Sequence, residues 1–383
     1  MSTYIETEPS FVPVQTRSER PTSYDPADFD APTGREVDWK FSDVARLSPL
    51  FEDADGDPQA IDYEIEPEAF VQAPLAPGQA PRGEAFHPED LPSAIAWKRT
   101  AEALHLVIPA GLETQEPVRV SIRGLGAQLR GHAHLVIEAQ ERSRAIVVLE
   151  HTGSARFAEN VEVLVRDHAA LTLITVQEWE DDAIHASAHQ AVIGTGASLK
   201  HVVVSLGGAV VRVNPSVRLA GEHSEAQLLG AYFADAGQHL ESQVYVYHEG
   251  RNTKGRVLYK GALQGASAHT VWIGDVLIGR DAVGTDSYEQ NRNLVLTDGA
   301  RADSVPNLEI ETGDIEGAGH ASATGRFDDE QLFYLQSRGI TEEEARRLVV
   351  RGFLLEIVQQ IGVESLAERL AQAIEAELSG GAS

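Results

Sequence analysis

From about Ala94 to Ile310 the apolar positions fall in short runs separated by polar punctuation. HLVIP (105–109), VRVSIRG (118–124), HLVIEA (134–139), AIVVLE (145–150), VEVLV (161–165) and ALTLITV (170–176) come first. LKHVVVSL (199–206), QVYVYH (243–248), HTVWIGDVLI (269–278) and NLVLTDG (293–299) follow. Each is rich in Val, Ile, Leu and Thr and bounded by Gly, Asn, Asp or Ser, which predicts strands. No amphipathic stretch of about a dozen residues interrupts them, so the pattern argues against alternating strand–helix units.

The runs recur. A turn of small polar residues leads into an apolar position in RDHAALTL (166–173), GTGASLKHV (194–202), GEHSEAQLLG (221–230), GALQGASAHTV (261–271) and TDGARADSV (297–305). Leu171, Leu199 and Leu228 stand 28 and then 29 residues apart. Short strands with a long inexact period suit a β-solenoid, in which each coil buries its face against the next. An ordinary sandwich or barrel also repeats its strands, and the pattern leaves both open.

After Gly325 the period becomes helical. Asp328 opens a D-x-x-Q capping start, DEQLFYLQSR follows, and Gly339 is the expected stop. Thr341 then caps a longer helix, with Glu344 three residues on. Its apolar stripe is Ala345, Leu348, Val349, Phe353, Leu354, Ile357, Val358 and Ile361. Gly362 breaks it, a last helix carries Leu366, Leu370, Ile374 and Leu378, and the SGGAS tail is expected to fray. Such a stripe either seals the solenoid or supports a docking face. Ahead of the strands, 13 of the 17 prolines lie at or before Pro92, in an acidic, weakly periodic stretch. It reads as an extended, partly disordered arm with short ordered pieces. One such piece is Trp39 to Leu50, where Phe41, Val44, Ala45 and Leu47 share a helical face. The expected division is therefore an arm (1–93), a β core (94–324) and a helical domain (325–383).

Charge narrows the function. Thirty-one Lys and Arg against 59 Asp and Glu give a net charge of −28, spread along the chain. Phosphate backbones and anionic membranes need clustered cations, so neither nucleic acid nor a membrane surface is an expected partner. There is no cysteine, which removes disulfides and thiolate ligands together. The start, MSTYIETEPSFVPV, has neither a basic nor an apolar leader region, and a cytoplasmic location is expected.

Chemistry is sparse. Neither G-x-S-x-G nor GxxxxGK[ST] occurs, and GTGASLK (194–200) reads as a solenoid turn. The Asp181/Asp182 and Asp328/Asp329 pairs suit loops and caps. Among 14 histidines, His320 stands out between GAG and ASA, small neighbours that leave an imidazole, a common iron ligand, accessible. The others are expected to be structural, including the closest groupings His132/His134, His185/His189 and His239/His248.

The stretch Pro306–Phe353, PNLEIETGDIEGAGHASATGRFDDEQLFYLQSRGITEEEARRLVVRGF, closely resembles the SufB/SufD scaffold family of the SUF iron–sulfur assembly machinery, in its SufD branch. RNTKGRVLYKGALQGASAHTVWIGDVLI (251–278) is a second family-like block, and PTGREVDWKF (32–41) resembles the family's entry segment. The resemblance implies a mainly β fold, a right-handed parallel β-helix with a C-terminal helical domain. It implies a non-enzymatic scaffold that pairs with SufB through the β-helix. His320 would lie at that interface and share a nascent iron–sulfur cluster with a SufB cysteine; the isolated chain would carry no cofactor. It further implies binding of the ATPase SufC by the C-terminal helices, a role we assign to Arg338, Gly339, Leu348, Phe353 and Ile357. ATP-driven SufC dimerisation would then move the scaffolds. Self-pairing of the isolated chain stays open. The chain departs from the family at Ala318, where many SufD sequences carry cysteine, and at Gly319 and Ala321, where SufB sequences are acidic. It can therefore offer only an imidazole here. A β-helix carbohydrate-active enzyme and a purely structural binding protein are the alternative readings.

Overall fold

The computed structural model describes residues 21–326 and 329–380. The strand runs wind into a parallel β-helix of about eight turns. Helices α1 (Val44–Leu47) and α2 (Leu91–Arg99) and strand β1 (Ile61–Glu66) precede it. The coils begin with β2 (Leu104–Ile108) and two long strands, β3 (Val118–Ala139) and β4 (Arg144–Val165). Then come β5 (Ala170–Trp179), β6 (Ile184–Ile193), β7 (Ser198–Ser205), β8 (Val210–Leu219) and β9 (Glu225–Ala234). β10 (His239–His248), β11 (Lys254–Leu263), β12 (His269–Ile278), β13 (Asp286–Val295), β14 (Arg301–Ile310) and β15 (Gly317–Arg326) complete them.

Even and odd strands build separate walls. The order runs β14-β12-β10-β8-β6-β4 and continues β5-β7-β9-β11-β13-β15. The first half of β4 pairs with β5 and its second half with β6, so this strand joins the walls. Alternate residues point inward. Val147, Leu173, Leu228, Val257 and Trp272 are among those that fill the interior. The period seen in the sequence is partly this stacking. Leu171 does pair with Leu199, but Leu228 stands beside His201, two residues out of that column yet on the same face.

The described part of the arm is bound to the coils. Trp39, Leu47 and Leu50 are buried against Ala186 and Val210. The buried Glu162 carboxylate accepts from the backbone N–H groups of Gly83 and Ala85 at 2.8 and 2.7 Å. Residues 1–20, the rest of the arm expected to be partly disordered, lie outside the described residues.

Three helices follow the coils: α3 (Asp329–Ser337), α4 (Glu342–Val358) and α5 (Glu364–Gly380). The Asp328 cap lies outside the described residues. Gly339 has φ +87°, the left-handed conformation of a helix stop. Thr341 Oγ1 accepts from the Glu344 N–H at 3.2 Å, as the capping pattern predicts. The apolar stripe packs sideways against the coils and not over the end of the solenoid. Val350, Leu354, Ile357, Val358, Leu370 and Ile374 cover Ile174, Val176, Val204, Leu229 and Phe233 on the outer face of the odd wall. No described helix is long and apolar enough to cross a membrane.

Candidate functional site

Among the described residues, nothing caps the last coils of the solenoid. β14 and β15 are the two outermost strands of the sheet, each with a free edge. Most of β15 is exposed, and Tyr288 and Ile310 add exposed apolar surface. Free strand edges beside apolar side chains are a template for pairing with another chain.

His320 sits on this end, exposed, in the first half of β15. Its register partner on β13 is Glu289. Parallel pairing puts register partners on the same face, so His320 continues the inward column in which Glu289 is fully buried. Neither Glu289 oxygen has a side-chain hydrogen-bond partner, and the nearby Asn307 backbone offsets its burial only in part. Burial, reinforced by the nearby Asp275 carboxylate, pushes the Glu289 pKa up to about 8. Asp275 Oδ1 accepts a hydrogen bond from Asn307 Nδ2 at 2.7 Å. Gly319 lies close to the Tyr288 ring, where a Cβ would come within 3.0 Å. The end of the solenoid thus carries an accessible imidazole over a protonated carboxyl. The sequence reading missed Glu289 because it lies 31 residues before His320. Only the coil register brings the two together.

The residues proposed for partner contact divide by exposure. Leu348 is 47 % exposed, and with Phe333 at 73 % and Tyr334 at 57 % it contributes apolar surface on α3 and α4. Arg338 is exposed and lies over the Tyr334 ring at 5.1 Å. Gly339 is the exposed turn between the helices. Phe353 is half-buried, with the Lys260 ammonium 4.7 Å from its ring centre. Ile357 is fully buried beneath α4. Its side chain faces the sheet and holds the helix in place, so any part in docking is indirect.

Two other histidines are held by side-chain hydrogen bonds. His248 is buried between Thr253 Oγ1 at 2.7 Å and Ser287 Oγ at 3.0 Å. His269 Nε2 meets Asp303 Oδ2 at 2.7 Å. Three residues far apart in sequence also meet away from His320. His151, Glu159 and His185 converge inside the coils, brought together by the chain's winding.

A family model described as "SUF system FeS cluster assembly, SufBD core domain" matches residues 123–353. An iron–sulfur cluster assembly SufBD family protein of Mycobacterium bovis is 49 % identical over 367 residues, covering 93 % of this chain and 91 % of that protein. A Mycobacterium leprae protein of the same description is 46 % identical over 364 residues, covering 93 % of each. A second M. leprae SufBD family protein is 30 % identical over 220 residues, 57 % of this chain and 25 % of that protein. With its β-helix and this coverage, the chain belongs to the SufBD core family of the SUF iron–sulfur cluster assembly system.

Proposed function

We propose that this chain is a SufD-type scaffold, without catalytic activity of its own. It pairs end to end with a cysteine-bearing SufB-type β-helix and binds a SufC-type ATPase through its helical region. The observation that carries this reading is His320 on an uncapped solenoid end in a chain without cysteine. Iron bound to sulfide and thiolate needs sulfur ligands, which this chain lacks. An imidazole over a partner's thiolate completes a ligand set that neither chain holds alone. The free edges of β14 and β15 offer backbone donors and acceptors for the partner's terminal strands. The presence of two SufBD family proteins in M. leprae, of unequal similarity to this chain, fits a pair of dissimilar scaffolds.

The nascent cluster is cargo. His320 holds and orients it, and Glu289, neutral near pH 7, adds no competing charge beneath it. The Phe333, Tyr334 and Leu348 surface beside Arg338–Gly339 is the proposed ATPase contact. ATP-driven closure there would move the scaffolds and open the shared site. This assembly would operate in the cytoplasm.

Co-purification tests the pairing. The tagged chain, co-expressed with a SufB-type and a SufC-type partner, is expected to bring down both. Replacing Ile310 and Tyr288 together by Asp should release the SufB-type partner and keep the ATPase. Retention of both by that variant would place the pairing surface elsewhere.

A further inference from the structure

Three side chains that the proposed function does not use converge inside the early coils. His151 and Glu159 lie eight residues apart on β4, one in each half of the strand that joins the two walls. His185 comes from β6, in register with Phe157, while Glu159 pairs with Ser187. All but Glu159, at 1 %, are completely excluded from solvent. The donor atoms of the three lie within 4.8 Å of one another. His151 Nε2 is 3.1 Å and His185 Nε2 is 3.8 Å from Glu159 Oε2.

Proton bookkeeping exposes a missing charge. His151 Nδ1 is 3.1 Å from the Val176 carbonyl, which can only accept, so that nitrogen carries the proton. Nε2 of a neutral His151 then turns a lone pair toward a carboxylate. On the other side of Glu159 the donors all point inward. Ser187 Oγ donates to Oε2 at 2.9 Å, which leaves its own oxygen to accept from His189 Nε2 at 2.8 Å. His189 Nδ1 accepts in turn from His201 Nε2 at 3.1 Å. This relay stabilises Glu159 as an anion. His185 Nε2 is buried, makes no hydrogen bond and faces the same carboxylate.

With the His185 proton on Nδ1, both imidazoles turn a lone pair toward an anion, an arrangement that a cation would complete. We infer that His151 Nε2, His185 Nε2 and a Glu159 oxygen form a site for one first-row divalent metal ion of the zinc and ferrous iron class. Two imidazoles and a carboxylate are a common ligand set for these ions. Bonds of about 2.0–2.1 Å place tetrahedral ligand atoms about 3.3 Å apart, and the two distances here bracket that value. The Val176 carbonyl supplies the second contact that typically fixes a metal-bound imidazole. The Ser187 hydroxyl, donating to Oε2 at 2.9 Å, orients the carboxylate toward the two imidazoles. The site is distinct from His320. It lies deep in the coils, so the ion would enter during folding.

The test uses the full-length chain expressed in zinc-supplemented medium and purified without chelators. Elemental analysis is expected to find about one zinc per chain. X-ray absorption at the zinc edge should show two imidazoles with oxygen completing the shell. Glu159→Gln and His185→Gln should each lower retained zinc at least ~10-fold, as loss of a direct ligand requires. Wild-type protein holding under about a tenth of an equivalent would overturn the site. So would a zinc spectrum lacking two imidazoles, or a ¹⁵N spectrum showing His151 as a metal-free imidazolium paired with Glu159. The wild-type measurements decide the matter even if a variant fails to fold.

Discussion

At the residue scale, two buried groups make sharp predictions. Glu289 has a raised folded pKa, so the folded chain binds its proton more tightly than the unfolded chain. The sign follows directly: its contribution to stability is full below the ordinary carboxylate pKa. It is lost as pH rises from about 4.5 to about 8, and is flat above that. Glu289→Gln should therefore gain in melting temperature on the wild type as pH is raised across this window. An unchanged difference between the two proteins at both ends would show that Glu289 is not held neutral. A second prediction concerns the reciprocal pair formed by Gly230 beside Tyr259 and Gly261 beside Tyr232. A Cβ at Gly230 would lie 2.0 Å from the Tyr259 ring, and one at Gly261 would lie 1.8 Å from the Tyr232 ring. Both rings are buried, so neither can swing out. Gly230→Ala and Gly261→Ala should each cost about 1–3 kcal/mol or more in chemical denaturation. A shift below about 0.5 kcal/mol would mean that the tyrosines repack freely.

At the element scale, the sequence was readable where strands carried branched apolar residues. It was opaque where they did not. β15, GAGHASATGR, is all small or polar because it ends the solenoid with little to bury; hence the strand holding His320 gave no strand signal. β8 contains Pro215, which demotes a run to an edge or a loop. Here it sits in a central strand, and the pairing of β8 with β10 skips from Arg212↔Glu241 to Ser216↔Tyr245 around it. The helices were legible in position from the Thr341 cap and the Gly339 and Gly362 stops, but not in destination. A stripe shows that a face is covered, without naming the surface that covers it. That surface is the odd wall, so most of the stripe is core, while Leu348 stays exposed. Leu354→Ala should cost about 2–5 kcal/mol. Leu348→Asp, at an exposed site, should cost less than about 0.5 kcal/mol while weakening capture of the SufC-type ATPase. Thermal melts and pull-downs on the same preparations separate the two effects. If Leu348→Asp binds the ATPase at full strength, the docking face lies away from α4.

At the scale of the whole molecule, the winding does what the local sequence cannot. It stacks residues about 30 positions apart, as in His239 beside His269 or Glu289 beside His320. The period was visible in the leucines, yet applying it to the polar residues needs the register, which slips by a few residues from coil to coil. Among the described residues the same winding leaves one end unsealed, in a chain that has no sulfur ligand besides the single Met1 thioether. Alone, after anaerobic incubation with iron and sulfide, the chain is expected to stay free of a stoichiometric cluster. Paired with a cysteine-bearing SufB-type partner, it should complete one. The most direct test is cluster reconstitution on the co-purified complex, comparing wild type with His320→Ala. The account predicts unchanged partner binding and a stability change below about 0.5 kcal/mol, as for other exposed positions, with cluster yield falling sharply. A His320→Ala complex that assembles its cluster at the wild-type rate and yield would contradict it, leaving this subunit to contribute shape alone.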